Sequence, residues 1–158
     1  MSNYYQLTSV FDHTVLKEHA HSVTNWHESH GFQVVKVPPY IVDTLPIAPV
    51  LIKFNALAVI LKMDPMTWYD WHIDARRVCT INSLLDGSNS KCFYGNRLSR
   101  DIVELDELVY TPGEFCLLDT TKEHAVLNLE NTRYVLSIGM AAPYSFDEVK
   151  NFCVDNSI

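Results

Sequence analysis

In Trp71-His72-Ile73-Asp74 a histidine and an aspartate stand two residues apart. On a strand, residues two apart leave the same face, so both side chains can grip one metal ion. Chance supplies such a pair in about every second chain of this composition, and a solvated pair on an edge strand is the plain alternative. Context strengthens the metal reading. Further along, Leu118-Asp119-Thr120-Thr121-Lys122-Glu123-His124-Ala125-Val126-Leu127-Asn128 sets a second histidine, His124, at the head of another predicted strand. Two imidazoles and one carboxylate on one side of a metal leave the opposite positions open, which suits non-haem Fe(II) with a chelating cosubstrate and dioxygen. Zinc would prefer a tetrahedron. Arg133 then opens the next predicted strand across a tight turn, where its planar fork can receive a carboxylate end-on.

These residues need strands to hold them. Asp12 can cap a helix whose apolar positions Leu16, Ala20, Val23 and His27 recur at helical spacing until Gly31, which predicts a helix over 12–31. After it, Phe32 to Val37 reads as a strand ended by Pro38-Pro39. Further strands are expected at Val50–Phe54, Ala56–Met63, Trp68–Asp74, Val78–Leu85, Lys91–Tyr94, Ile102–Glu104, Leu108–Tyr110, Glu114–Leu118, His124–Leu129 and Arg133–Met140. Turn formers separate them at Asp64-Pro65, Asp86-Gly87-Ser88-Asn89, Thr111-Pro112-Gly113 and Asn131-Thr132. Ser145-Phe146-Asp147-Glu148 is a capping box that opens a short helix over 145–153. So many short strands must close into a sandwich or barrel, because an open sheet would leave one apolar face wet. The expectation is an all-β core over 50–140, a cupin-like double-stranded β-helix or jelly roll, with an N-terminal helix covering one sheet.

With 158 residues, the chain suits a single domain, 1–158. Its 47% apolar and 20% charged residues set disorder and fibres aside. A formal charge of −7 argues against a nucleic acid recognised through its phosphates. No apolar run approaches the roughly 20 residues a bilayer needs, and no export signal opens the chain, so a cytoplasmic location without membrane contact is expected. The four cysteines stand singly, without zinc-knuckle or redox-dithiol spacing, and read as free, buried thiols. Five of the seven histidines (His13, His19, His21, His27, His30) crowd the first thirty residues, but no Cys or Asp joins them in a binding pattern, and they read as bystanders.

Three stretches together resemble the 2-oxoglutarate- and Fe(II)-dependent dioxygenases, in particular their small aspartyl/asparaginyl β-hydroxylase-like and proline-hydroxylase-like branch. They are Trp71-His72-Ile73-Asp74-Ala75-Arg76-Arg77 running into Ile81-Asn82, Pro112-Gly113-Glu114-Phe115 leading to Asp119-Thr120, and His124-Ala125-Val126-Leu127-Asn128 followed by Arg133-Tyr134-Val135-Leu136. The resemblance covers Trp68 to Met140 and implies Fe(II) held by His72, Asp74 and His124. It implies 2-oxoglutarate chelating the iron with its distal carboxylate on Arg133, and dioxygen as co-reactant. Hydroxylation of a C–H bond in a peptide side chain or small molecule, with succinate and carbon dioxide released, is the activity implied. Many relatives carry Ser or Thr two residues after the arginine; here that position is Val135, and the nearest hydroxyls are Tyr134 and Ser137.

For further cosubstrate contacts the sequence offers Asn82, which shares strand parity with His72, and Tyr94; for substrate it offers Arg77, close behind the metal motif, and Trp68. Ion pairing and core packing are the plain alternatives for each. The competing function is a cupin-type metal-binding isomerase or sensor without 2-oxoglutarate, from which Arg133 discriminates, since such a site needs no guanidinium there.

Overall fold

The computed structural model describes residues 3–87, 89–97 and 103–158. In chain order the elements are β1 (Tyr4–Val10), α1 (Thr14–Ser22), β2 (His27–Ser29), β3 (Phe32–Lys36), α2 (Pro39–Val42), α3 (Ala48–Phe54), β4 (Leu57–Met63), β5 (Thr67–His72), β6 (Cys79–Asp86), β7 (Ser90–Arg97), β8 (Val103–Leu108), β9 (Glu114–Asp119), β10 (His124–Asn128), β11 (Arg133–Met140) and α4 (Phe146–Asp155). A seven-stranded sheet in the order β1-β9-β6-β11-β4-β3-β2 faces a four-stranded sheet in the order β5-β10-β7-β8. All described pairings are antiparallel. From β4 to β11 successive strands alternate one by one between the two sheets, except for the β7-β8 hairpin within the smaller one, the winding of a double-stranded β-helix, as the strand count and turn spacing led one to expect.

The period-2 geometry of strands divides the core in two. On β6, Cys79 and Ile81 join the larger apolar cluster on the outer side of the seven-stranded sheet, as do Leu136 and Ile138 on β11 and Phe115 and Leu117 on β9. Leu16 and Ala20 of α1, Val50 and Phe54 of α3 and Val149 of α4 complete that cluster. The intervening residues point between the sheets, where Met63, Cys92, Tyr94, Cys116, Leu118 and Val126 form the second cluster. With both faces covered, β6 and β11 are almost continuously buried.

Several elements differ from the sequence-based expectation. The N-terminal helix is α1 alone: it stops at Ser22, where β-branched Val23 turns extended, and Gly31 is a hairpin residue rather than a helix stop. His30 (φ 51°) and Gly31 (φ 80°) form the two-residue turn joining β2 to β3, a conformation that favours glycine at the second position. The strand expected at Val50–Phe54 is α3. Pro49 in its first turn and the left-handed Asn55 (φ 49°) at its end are helix punctuation, and burial of Val50, Leu51 and Phe54 follows helical spacing, outweighing the β-branched Val50 and Ile52. β1 had no counterpart in the sequence reading; it pairs with β9. Ile102, which opened an expected strand, and Ser88 lie outside the described residues, and the strand there runs from Val103 to Leu108. The capping box stands: Ser145 Oγ accepts from Glu148 N at 3.2 Å while Glu148 Oε2 accepts from Ser145 N at 2.8 Å. No described helix is long and apolar enough to cross a membrane.

All four cysteines are free and buried. Burial pushes the Cys79 and Cys116 thiols up to about 12 and those of Cys92 and Cys153 to about 11. These groups favour the folded state below the unfolded thiol value of about 8.5, and that contribution is lost as pH rises through 11 to 12. Native protein at pH 8 should therefore react slowly with a disulfide reagent such as DTNB, and denatured protein should react promptly at all four thiols. Rapid reaction of the native protein would contradict the buried assignment.

Candidate metal centre

β5 and β10 are neighbours, and their register sets His124 opposite His72, so the last residue of one strand and the first of the other present imidazoles side by side, with ring centroids 4.1 Å apart. The chain leaves β5 after His72. Asp74 is held by its backbone N donating to Thr120 O at 3.0 Å, which ties it to the turn before β10. One ligand atom from each of His72, Asp74 and His124 lies within 4.8 Å of the others, and His72 Nε2 is 3.8 Å from Asp74 Oδ1.

The imidazoles are oriented from behind. His72 Nδ1 lies 2.7 Å from Asp70 O and His124 Nδ1 lies 2.9 Å from Lys122 O. A carbonyl only accepts, so each Nδ1 carries a proton, and of the two neutral tautomers this selects the one with its lone pair on Nε2, the tautomer a metal ligand needs. Burial, with smaller effects of the neighbouring His72 and Arg77, holds His124 below the usual imidazole range and favours the neutral, ligating form.

Arg77 is placed on Asp74 rather than free in the opening. Its Nη2 is 2.9 Å from Asp74 Oδ2, an ion pair whose angle falls outside hydrogen-bond geometry. Gly139 makes this possible, because a Cβ there would sit 2.5 Å from Arg77 Cδ. Thr120 Oγ1 donates to Arg77 O at 3.0 Å. One carboxylate oxygen is thus engaged by the guanidinium while the other faces His72. Arg77→Ala should weaken Mn(II) binding roughly 10–100-fold, the usual cost of losing an outer-shell partner. An unchanged affinity by calorimetry would show that Arg77 does not orient Asp74.

Deeper between the sheets lies a polar cavity. Arg133, at the start of β11, is 3% exposed, with its Nε buried and unpartnered and its Cζ 5.5 Å from the Tyr110 ring centroid. Asn82 Nδ2 donates to Tyr110 Oη at 3.3 Å, and Thr80 Oγ1 lies 3.1 Å from both Asn82 Oδ1 and Ser137 Oγ. These five residues line the same cavity as His72, Asp74 and His124. Burial pushes the Tyr110 phenol well up, so it stays protonated and available as a donor. Gly87 (φ 133°) passes close behind Arg133, where a Cβ would meet its Cα at 3.1 Å.

Of the residues singled out in the sequence, His72, Asp74, His124, Arg77, Asn82 and Arg133 come together around this cavity. Tyr94 is not among the lining residues. It lies fully buried in the inner core, its ring 5.8 Å from that of His124 and 6.3 Å from that of Tyr4. Trp68 is 45% exposed, donates from Nε1 to Asp70 Oδ1 at 3.0 Å and packs edge-on to Trp71, away from the cavity. Tyr110 and Thr80 escaped the sequence reading. Ser137 was noted only as a nearby hydroxyl, although its parity with Arg133 on one strand already put both on one face. Tyr134, of opposite parity, packs outward on His21 and Trp26.

No family model matches the sequence, and neither does any curated protein. Solved structures share the fold. One is an oxidoreductase of the 2OG-Fe(II) oxygenase family from Burkholderia pseudomallei, at TM-score 0.64 and 15% identity, covering 88% of this chain and 84% of that one. Another is a prolyl hydroxylase from Trichoplax adhaerens in complex with a hypoxia inducible factor peptide fragment, at TM-score 0.65 and 8% identity, covering 96% and 87%. A third is a viral collagen prolyl hydroxylase from Paramecium bursaria Chlorella virus 1, solved as a 2OG complex, at TM-score 0.61 and 10% identity, covering 90% and 97%. At such identities the likeness is one of fold.

Proposed function

We propose that the protein is an Fe(II)- and 2-oxoglutarate-dependent dioxygenase that hydroxylates a C–H bond of a small molecule or peptide side chain. The observation that carries this reading is the pairing of a two-histidine, one-carboxylate cluster with a buried arginine that has no carboxylate partner among the described residues. A buried guanidinium is costly unless an anion answers it. A redox-silent cupin site offers no reason for that cost.

The donor set fits ferrous iron: two neutral imidazoles and a carboxylate, with room opposite them. His72, Asp74 and His124 would hold it. Arg133 would pair with the distal carboxylate of 2-oxoglutarate, assisted by the hydroxyls of Tyr110 and Ser137 that line the same cavity. Bound together, iron and 2-oxoglutarate would activate dioxygen for oxidation of a C–H bond, with succinate and carbon dioxide as co-products. The protein's part is to fix geometry: the Asp70 and Lys122 carbonyls aim the imidazoles, Arg77 holds one oxygen of Asp74, and the apolar inner core keeps water from the back of the site. Free cysteines fit a reducing compartment, and we assign the protein to the cytoplasm on that ground.

Incubation with Fe(II), 2-oxoglutarate and air should give succinate slowly even without substrate. Formation that needs neither iron nor dioxygen, or no formation by folded protein, would overturn the proposal.

A further inference from the structure

Beside the metal residues the cavity opens into an outer groove of about 610 Å³. Its apolar wall is formed by Val34 on β3 and by Val59 and Leu61 on the neighbouring β4, all three half-buried. The opposite wall is the segment from Ile73 to Arg77.

The charge of this groove runs against that of the chain. The protein carries −7, yet among the described residues lining the groove the one carboxylate is Asp74, already engaged by Arg77. Arg76 is exposed on the groove and has neither hydrogen bond nor ion pair among the described residues. A divalent cation at the neighbouring triad would add to the positive potential. A positive opening on an acidic protein concentrates anions there and rejects cations.

We infer that this groove seats substrates with an apolar body and a single anionic group, the apolar part against Val34, Val59 and Leu61 and the anion on Arg76. This deepens the dioxygenase reading and rests on it for the metal. Of the two residues the sequence offers for substrate, Arg77 and Trp68, Arg77 is ion-paired with Asp74, while its neighbour Arg76 has no such partner among the described residues.

The test uses protein saturated with Mn(II) and 2-oxoglutarate and follows paramagnetic broadening of probe methyl resonances by NMR. The probes are N-acetyl-leucine as the free acid and N-acetyl-leucinamide. The acid should bind about tenfold more tightly than the amide, the preference should shrink with added salt, and Arg76→Glu should abolish it. Arg76→Lys should retain most of it. Equal broadening of acid and amide, no broadening of either, or an acid preference that survives Arg76→Glu would overturn the inference. Mn(II) affinity, measured first on the same samples, separates the two readings: failure to bind the metal sinks the dioxygenase proposal, whereas metal binding without acid preference sinks this inference alone.

Discussion

Asp74→Ala is expected to abolish binding of Fe(II), or of Mn(II) as its spectroscopic stand-in, while leaving the fold intact. The carboxylate is the single anionic donor in the cluster, so its loss leaves two neutral imidazoles to hold a hydrated dication. The effect should exceed the roughly 10–100-fold penalty for disturbing an outer-shell partner. The strand frame has little reason to respond, because Asp74 lies beyond β5 and, although its ion pair with Arg77 is lost, alanine keeps the backbone bond from its N to Thr120 O. Removing the acid also frees Arg77, placing an uncompensated cation beside the metal position and deepening the loss. Electron paramagnetic resonance of added Mn(II) reads the outcome directly. Variant protein that binds as tightly as the wild type would show that the cluster is not the metal site.

The second large effect is expected at Arg133. Truncating one partner of a buried, hydrogen-bonded charge pair costs about 2–5 kcal/mol, so Arg133→Ala should weaken 2-oxoglutarate roughly 30-fold or more and leave Mn(II) affinity near that of the wild type. Stability supplies an independent reading. A ligand that binds only the folded state raises the melting temperature, so 2-oxoglutarate with Mn(II) should stabilise the wild type and fail to stabilise the variant at the same concentration. Arg133→Met, which keeps an apolar stem in the cavity, guards against a trivial packing defect. Unchanged 2-oxoglutarate affinity in a folded Arg133 variant would remove the arginine from the cosubstrate pocket.

What was legible in the sequence followed from periodicity and turn chemistry. The succession of short strands and the turn residues between them sufficed for a closed two-sheet core, and His72, Asp74 and His124 taken together sufficed for the metal cluster, although Asp74 lies past the end of β5 rather than on it. What escaped depended on tertiary neighbours. Val50 and Ile52 have β-branched side chains, yet α3 forms because Val50 and Phe54 meet the same apolar cluster as α4. β1 gains its place from pairing with β9, a partner distant in sequence. Tyr110 lies past the end of β8, which stops at Leu108, so the parity of the strand expected over Leu108–Tyr110 could not aim it at Arg133. Arg77 was recognised as near the metal, but its partner depended on the notch that Gly139 provides on β11. Tyr94, offered by the sequence for the cosubstrate, shows the converse: its strand position pairs with His124, yet its side chain lies in the inner core.

Anaerobic addition of Fe(II) and 2-oxoglutarate together, followed by visible absorption, tests the central claim most directly. Chelation of the iron by the 2-oxo acid within the site predicts a weak charge-transfer band that needs both additions and vanishes in Asp74→Ala. Folded wild-type protein that gives no such band, or a band that persists in Asp74→Ala, would contradict it.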